Sequence, residues 1–360
     1  MHLTLHLTNR CNLACSYCFE TRGPQRMTKE VAYAAVKLGM QGTQRSGLLF
    51  YGGEPLLERA LIESTVAHTQ RIRAKTGHTF YYKMTTNGLL LDESFLQFAQ
   101  GVNLTIGFSH DGPAQDDCRK LPDGTGSAAQ LQSKFALLLN YQPYAVGMCV
   151  VDPSTAHKAC AIVQDLYARG FRYITVGINY SPRWTQERLA VLQAEYEKMA
   201  ALYLQWTQDE QKFYLSPFDM KICSHLKGEA YHADRRRMAL NQLSVAPDGK
   251  LYPASRMLDD PHYCIGDVFA GVDTKRQQQL YDQGDAPAPC QSCALRTRCN
   301  YCYDNLPEIS PIQCAHERML TPIADRLAEQ LYRQRSALFI HKHYNELYAI
   351  MSLLEDRGTV

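Results

Sequence analysis

The sequence predicts an α/β chain: a partial (β/α)6 barrel over residues 1–215, a small cysteine-rich domain over 216–316, and a helical segment over 317–360. Three observations lead there. Short apolar strands alternate with amphipathic stretches six times between His2 and Ile178, the pattern of a parallel sheet with right-handed crossovers. Seven of the thirteen cysteines fall from Cys223 onward, so the chemistry of the chain changes there. Apolar residues then recur at helical spacing from about Glu317 to Leu354.

The elements follow in order. His2 to Thr8 alternates as a strand, and Thr28 to Gln41 places Val31, Ala34, Ala35 and Leu38 on one helical face. Leu48 to Tyr51 is the second strand, and Pro55 opens the next helix. Phe80 to Thr86 ends in the turn Asn87-Gly88. Leu104 to Ser109, Tyr144 to Val151 and Phe171 to Ile178 complete six strands, with helices over 128–139 and 154–168 between them. A long helix over 185–208 carries a packing stripe of Leu189, Leu192, Tyr196, Met199, Leu202 and Trp206. Beyond Ser216-Pro217, two short strands flank Pro247-Asp248-Gly249 as a hairpin. In the tail, Leu320, Ile323, Leu327 and Leu331 form one face and Tyr344, Leu347, Met351 and Leu354 a later one, a cap on the barrel or a dimer surface.

Composition narrows the function classes. A formal net charge of +2 over 360 residues gives no basic field for nucleic acid or a membrane surface. No signal peptide opens the chain and no apolar run reaches the ~18 residues of a membrane span, so the cytoplasm is expected. Thirteen cysteines without a secretory signal read as metal ligation, not disulfides.

The chemistry concentrates at the ends of the strands. After the first come Cys11, Cys15 and Cys18 at spacing C-x3-C-x2-C. Three thiolates do not close a tetrahedral zinc site, but they hold three irons of a cubane cluster and leave the fourth open. After the second strand comes Gly52-Gly53-Glu54-Pro55, where two glycines let the backbone approach a ligand and Glu54 offers a carboxylate to an ammonium group. Thr86-Asn87 follows the third strand and Ser109-His110-Asp111-Gly112 the fourth. Asp111 reads as a turn former, Cys118 as a bystander in a polar loop, and Cys149 and Cys160 as small core residues. In the last third, Cys290, Cys293, Cys299 and Cys302 at C-x2-C-x5-C-x2-C, with Cys314, form a second metal-site pattern, for zinc or for iron–sulfur.

The cysteine triplet with Asn12, Tyr17 and Phe19, followed in order by GGEP, Thr86-Asn87 and Ser109, resembles the radical S-adenosylmethionine (SAM) superfamily. The hairpin Val245 to Pro253, the strand Ile265 to Val268 and the late cysteines resemble the SPASM domain of its peptide- and protein-modifying members. The resemblance implies a 4Fe-4S cluster on Cys11, Cys15 and Cys18. It implies SAM held by Tyr17, Gly52, Gly53, Glu54, Thr86, Asn87 and Ser109, and cleavage of SAM to a 5′-deoxyadenosyl radical that abstracts hydrogen from substrate. It implies an auxiliary 4Fe-4S cluster on Cys290, Cys293, Cys299 and Cys314, with Cys302 as the uncertain further ligand.

Two departures stand out. The family has a cysteine where this chain has Ala254, and another near Arg235-Arg236-Arg237, so the inner auxiliary site is expected to be lost and a single auxiliary cluster kept. Cys223 and Cys264 are candidate substitutes that no spacing in the sequence supports. Sulfatase-maturing members carry a catalytic aspartate where this chain has Ser255, which favours a ribosomal-peptide maturase over sulfatase maturation; a non-catalytic iron–sulfur or zinc protein is the third reading. The partners implied are a peptide or protein substrate and an electron donor such as flavodoxin or ferredoxin; since the first strand starts at His2, either a separate leader-peptide-binding protein or the tail helices present the peptide, or the substrate is a folded protein or a small molecule. No single residue is assigned as catalytic acid or base.

Overall fold

The computed structural model describes residues 1–228, 241–282, 288–299 and 311–344. Cys302, Arg235 to Arg237, Leu347, Met351 and Leu354 lie outside the described residues.

The strands are β1 His2–His6, β2 Ala14–Cys15, β3 Arg45–Tyr51, β4 Thr79–Thr86, β5 Leu104–Ser109, β6 Arg119–Lys120, β7 Val146–Val151, β8 Tyr173–Ile178, β9 Tyr214–Ser216, β10 Gln242–Val245, β11 Leu251–Tyr252, β12 Gly266–Asp267 and β13 Gly271–Val272. Helices α1 Lys29–Gly39, α2 Arg59–Thr76, α3 Glu93–Gly101, α4 Gln115–Cys118, α5 Ala128–Tyr141, α6 Ala159–Ala168, α7 Gln186–Gln208 and α8 Phe218–Lys227 fall between them. Further on come the helices Thr274–Asp282, Pro311–Arg333 and Ala337–Tyr344.

All six anticipated strands are present, parallel and adjacent in chain order, β1-β3-β4-β5-β7-β8. The sheet then extends at both ends. β9 adds parallel to β8, and β10 adds parallel to β1, with β11 returning antiparallel. The hairpin expected in the cysteine-rich module is thus hydrogen-bonded to the first strand of the barrel, with Leu3 opposite Leu243 and Leu5 opposite Val245.

Leu3, Leu5, Phe50, Met84, Ile106 and Phe108 of the strands pack with Val36, Ile62, Phe95 and Leu131 of the helices in one core. Helix starts are set by side chains that accept backbone N–H groups: Thr28 from Val31, Asp92 from Phe95 and Thr185 from Arg188. The α7 stripe buries Leu192, Tyr196, Met199 and Trp206 as expected, but Tyr203 rather than Leu202 completes it. The helix Pro311–Arg333 buries Leu320, Ile323, Leu327 and Leu331 and packs against α7 and α8 as a cap. No described helix is long and apolar enough to cross a membrane.

Candidate active site

The carboxyl ends of the strands converge on one cavity of about 240 Å³. Its lining includes Cys11, Cys15, Cys18, Tyr17, Gly52, Gly53, Glu54, Thr86, Asn87 and Ser109. Every barrel residue expected to hold the cluster or SAM therefore lines one cavity.

The cysteine loop is held from two sides. On one, Gly53 N donates to Thr8 O at 2.8 Å and Glu54 N to Arg10 O at 2.9 Å. Gly52 has φ +114°, and a Cβ on it would lie 2.6 Å from Thr8 O. A Cβ on Gly53 would lie 2.2 Å from Arg10 O. The two glycines are needed because the β3 loop lies directly on the cysteine loop. On the other side β2 pairs antiparallel with β6, so Cys15 lies opposite Arg119, and Ser16 N donates to Cys118 O at 2.9 Å. Cys118 is buried and contributes its backbone to this anchor rather than standing by in an exposed loop.

Glu54 is fully buried and fastens β3 to β4. Its Oε1 accepts from Thr86 Oγ1 at 2.7 Å and Leu56 N at 3.0 Å, and its Oε2 from Asn87 N at 2.8 Å. Burial pushes its carboxyl up to about 6, against the pull of those hydrogen bonds. Asn87 Nδ2 in turn donates to Asn12 Oδ1 at 2.7 Å and reaches Cys11 Sγ at 3.8 Å.

Asp111 does more than turn the chain. It is fully buried and accepts from the Tyr17 hydroxyl, from Arg119 Nε at 3.1 Å and from Val150 N at 2.9 Å. Arg119 also stands over the Tyr17 ring, 5.4 Å from its centroid. Cys149 lines the cavity besides packing in the core.

The donor set fits an iron–sulfur cluster. Three thiols face one cavity, and no group of three His, Cys, Asp or Glu among the described residues could hold a single metal ion. Burial pushes Cys11 up to about 11 and also raises Cys15, so as free thiols they are poor nucleophiles; a bound metal would deprotonate them. Leu13 N already donates to Cys11 Sγ at 3.4 Å, the kind of contact that tunes a cluster thiolate.

Sequence reasoning missed Arg119 and Glu20 and read Arg256 as solvated surface charge rather than as facing an acidic substrate; all three face the cavity. Arg256 comes from the cysteine-rich region and stands over the rings of Phe19 and Tyr180, at 5.6 and 5.9 Å. Glu20 bonds His6 behind it at 3.2 Å. The proximity of Glu20 to the triplet was the available signal; no local pattern marks the others.

In the last third, Cys290 is buried and Cys293, Cys299 and Cys314 are half-buried. Burial, then the charges of Cys290 and Cys293, push the Cys314 thiol up. Arg298 fixes the segment: its carbonyl accepts from Lys221 Nζ at 2.8 Å and its guanidinium bonds Asp325. Ala254 and Cys264 instead pack on an apolar cluster of Ala246, Tyr252 and Met257.

A parallel barrel sheet with three thiols at its mouth is the frame of an enzyme that works through a bound redox cofactor. The model of the Radical SAM superfamily matches residues 5–187, half of the chain, and the chain belongs to that superfamily. It is a radical SAM enzyme, with a 4Fe-4S cluster and SAM as cofactors.

Among curated relatives, the serine-type anaerobic sulfatase-maturating enzyme of Klebsiella aerogenes is 23% identical over 316 residues, 80% of this chain and 76% of that one. The cysteine-type anaerobic sulfatase-maturating enzyme of Clostridium perfringens (strain 13 / Type A) is 25% identical over 267 residues, 68% of this chain and 70% of that one. Among solved structures, anSMEcpe with bound AdoMet superposes with TM-score 0.77 at 17% identity, covering 93% of this chain and 99% of that one. Streptococcus suis SuiB bound to precursor peptide SuiA gives TM-score 0.60 at 17% identity, covering 86% and 73%. These likenesses establish the fold.

Proposed function

We propose that this chain modifies a peptide, as a radical SAM maturase of ribosomally made peptides. The observation that carries the reading is the shared cavity: the cysteine triplet lines it together with Arg256 from the cysteine-rich region, so a chain-like substrate would meet both modules. Structures of relatives bound to peptides, anSMEcpe with Cp18Cys peptide and SuiB with SuiA, support the substrate class. When bound, the cluster and SAM supply a carbon radical that removes hydrogen from substrate.

The chain's own residues supply the rest. Cys11, Cys15 and Cys18 would ligate the cluster, with Asn87 and Leu13 N polarising Cys11. Tyr17, Gly52, Gly53, Thr86, Asn87 and Ser109 would hold SAM, while Glu54, its oxygens already engaged by β4, chiefly fixes the wall they stand on. Leu13, Met148, Val150 and Ile178 give the cavity apolar surface that keeps water from a reactive centre. Cys290, Cys293, Cys299 and Cys314 would hold one auxiliary cluster. An electron donor of the flavodoxin or ferredoxin kind completes the expected set.

A second reading is oxidation of a protein residue, as in sulfatase maturation. Ser255 argues against it, since no carboxylate stands at that position. The first test is anaerobic: reconstituted, dithionite-reduced protein is given SAM, and 5′-deoxyadenosine is quantified. Steady production that vanishes in the Cys11/Cys15/Cys18→Ala variant is expected. None from the wild type would remove the radical reading. Co-expression with a candidate peptide, followed by its mass and by labelling with a hydrazide, then separates the two readings: a crosslink that loses two hydrogens and takes no label, or a single side chain converted to an aldehyde that does.

A further inference from the structure

Four buried side-chain atoms among the described residues lack a hydrogen-bond partner: Glu20 Oε1, Glu58 Oε1, His110 Nε2 and Thr321 Oγ1. Of these, only Glu20 belongs to the lining of the cysteine cavity. Its side chain is 9% exposed, so water does not solvate the carboxylate in place of a partner. Leaving a buried acceptor unpaired is costly, and a site that tolerates it in the protein alone is suited to a ligand that brings a donor.

The other half of the carboxylate is carefully held. Glu20 Oε2 accepts from His6 Nδ1 at 3.2 Å. His6 is fully buried at the end of β1, and its Nε2 lies 3.0 Å from Ser255 Oγ; that hydroxyl meets Ser244 Oγ at 3.1 Å on β10. A carboxylate only accepts, so Nδ1 donates to Glu20, and both ring nitrogens are engaged. The chain of bonds runs from β10 through Ser255 and His6 and stops at Glu20, with one oxygen unused. The Tyr51 ring packs edge-on to His6 at 5.3 Å and fixes its plane.

We propose that Glu20 binds the substrate, accepting a hydrogen bond from the side chain of the residue to be modified, which therefore carries an O–H, S–H or N–H donor; His6 and Ser255 position the carboxylate. This rests on the peptide-modifying reading above. It adds a specificity: an apolar residue entering the cavity leaves Glu20 Oε1 unpaired, as it is in the protein alone, and binds more weakly than one that brings a donor.

The test uses anaerobically reconstituted holoenzyme with SAM. The probes are the N-acetyl amides of serine, cysteine, lysine, alanine and 2-aminobutyrate, titrated by saturation-transfer NMR. At least one of the first three should saturate at about tenfold lower concentration than the two apolar amides, the discrimination of one buried hydrogen bond. Which one does so identifies the donor as hydroxyl, thiol or amine. Glu20→Ala should abolish the preference. Glu20→Gln should abolish it as well, since its amide can still accept from His6 but turns N–H groups toward the cavity; wild-type iron content in that variant certifies its fold. Ser255→Ala should weaken the preference and Ser255→Thr restore it, which a merely structural role would not do. Equal saturation by all five amides, no saturation by any, or a preference that survives both Glu20 variants would overturn the proposal. If the same preparation still forms 5′-deoxyadenosine, only the proposal falls; if it does not, the functional reading falls with it.

Discussion

At the scale of single residues, the cavity depends on contacts too close for a side chain. A methyl group on Gly53 would stand 2.2 Å from the Arg10 carbonyl oxygen and 2.7 Å from its carbon. Both are backbone atoms of the cysteine loop, so neither can swing aside. Gly53→Ala should shift that loop, lower stability by about 1–3 kcal/mol, the usual cost of overpacking, and lose the iron held by Cys11, Cys15 and Cys18 while keeping iron elsewhere. Thermal unfolding and iron analysis after reconstitution check both halves. Normal iron content would mean that the β3 loop does not support the cluster ligands. The motif was legible in the sequence, but its mechanics were not. Two glycines announce that some backbone comes close; only the fold shows that it is the cysteine loop. Asp111 forms its turn as expected, but its second role stayed hidden for a similar reason. A turn residue and the anchor of Tyr17 and Arg119 look alike when the partners stand 94 and 8 positions away.

At the scale of elements, the last described helix is attached through charge. Lys342 Nζ meets Asp219 at 2.7 Å, with the Tyr203 hydroxyl at 3.0 Å and the Phe213 ring 4.1 Å from the ammonium. Both ionic side chains are buried. Burial alone would raise the Asp219 carboxyl, but Lys342 and His343 bring it below the usual carboxylate range. Lys342→Met removes the main counter-charge and leaves a carboxylate in the interior, so it should cost about 3–5 kcal/mol. Asp219→Asn added to it should recover most of that loss. Urea unfolding of the two single variants and the double variant gives the coupling directly; simple additivity would show that the pair does not hold the helix. Periodicity in the sequence found α7 and its buried stripe, yet chose Leu202 over Tyr203 because apolarity was the only criterion. Tyr203 is inside because Asp219 and Lys342 satisfy its hydroxyl, a reason that lies on two other helices. β9 escaped notice because three residues are too few to show alternation.

At the scale of the whole molecule, barrel and cysteine-rich region are joined by one sheet. β10 lies beside β1, and the chain of hydrogen bonds from Ser244 to Glu20 crosses that seam. Strand pairing over some 240 positions leaves no trace in local composition, so two modules were legible and their fusion was not. The fusion bears on how many clusters the chain can carry. Where the inner auxiliary site was expected to be degenerate, Ala254 and Cys264 pack with Ala246, Tyr252 and Met257. Apolar side chains packed there stabilise the seam, and too few thiolates stand among them for a cubane. The outer set keeps four cysteines, Cys290, Cys293, Cys299 and Cys314. With four irons to a cubane, reconstituted wild type should therefore hold about eight irons per chain, and the Cys11/Cys15/Cys18→Ala variant about four. Cys290/Cys293→Ala should hold about four as well, and Cys264→Ala should match wild type in iron while losing a little stability. About twelve irons in wild type, or loss of a cluster in Cys264→Ala, would mean that the apolar cluster opens to admit a third cubane. In that case Cys264 would serve the hairpin as a ligand and not as packing, and β10 would be held against β1 by metal as well as by hydrogen bonds.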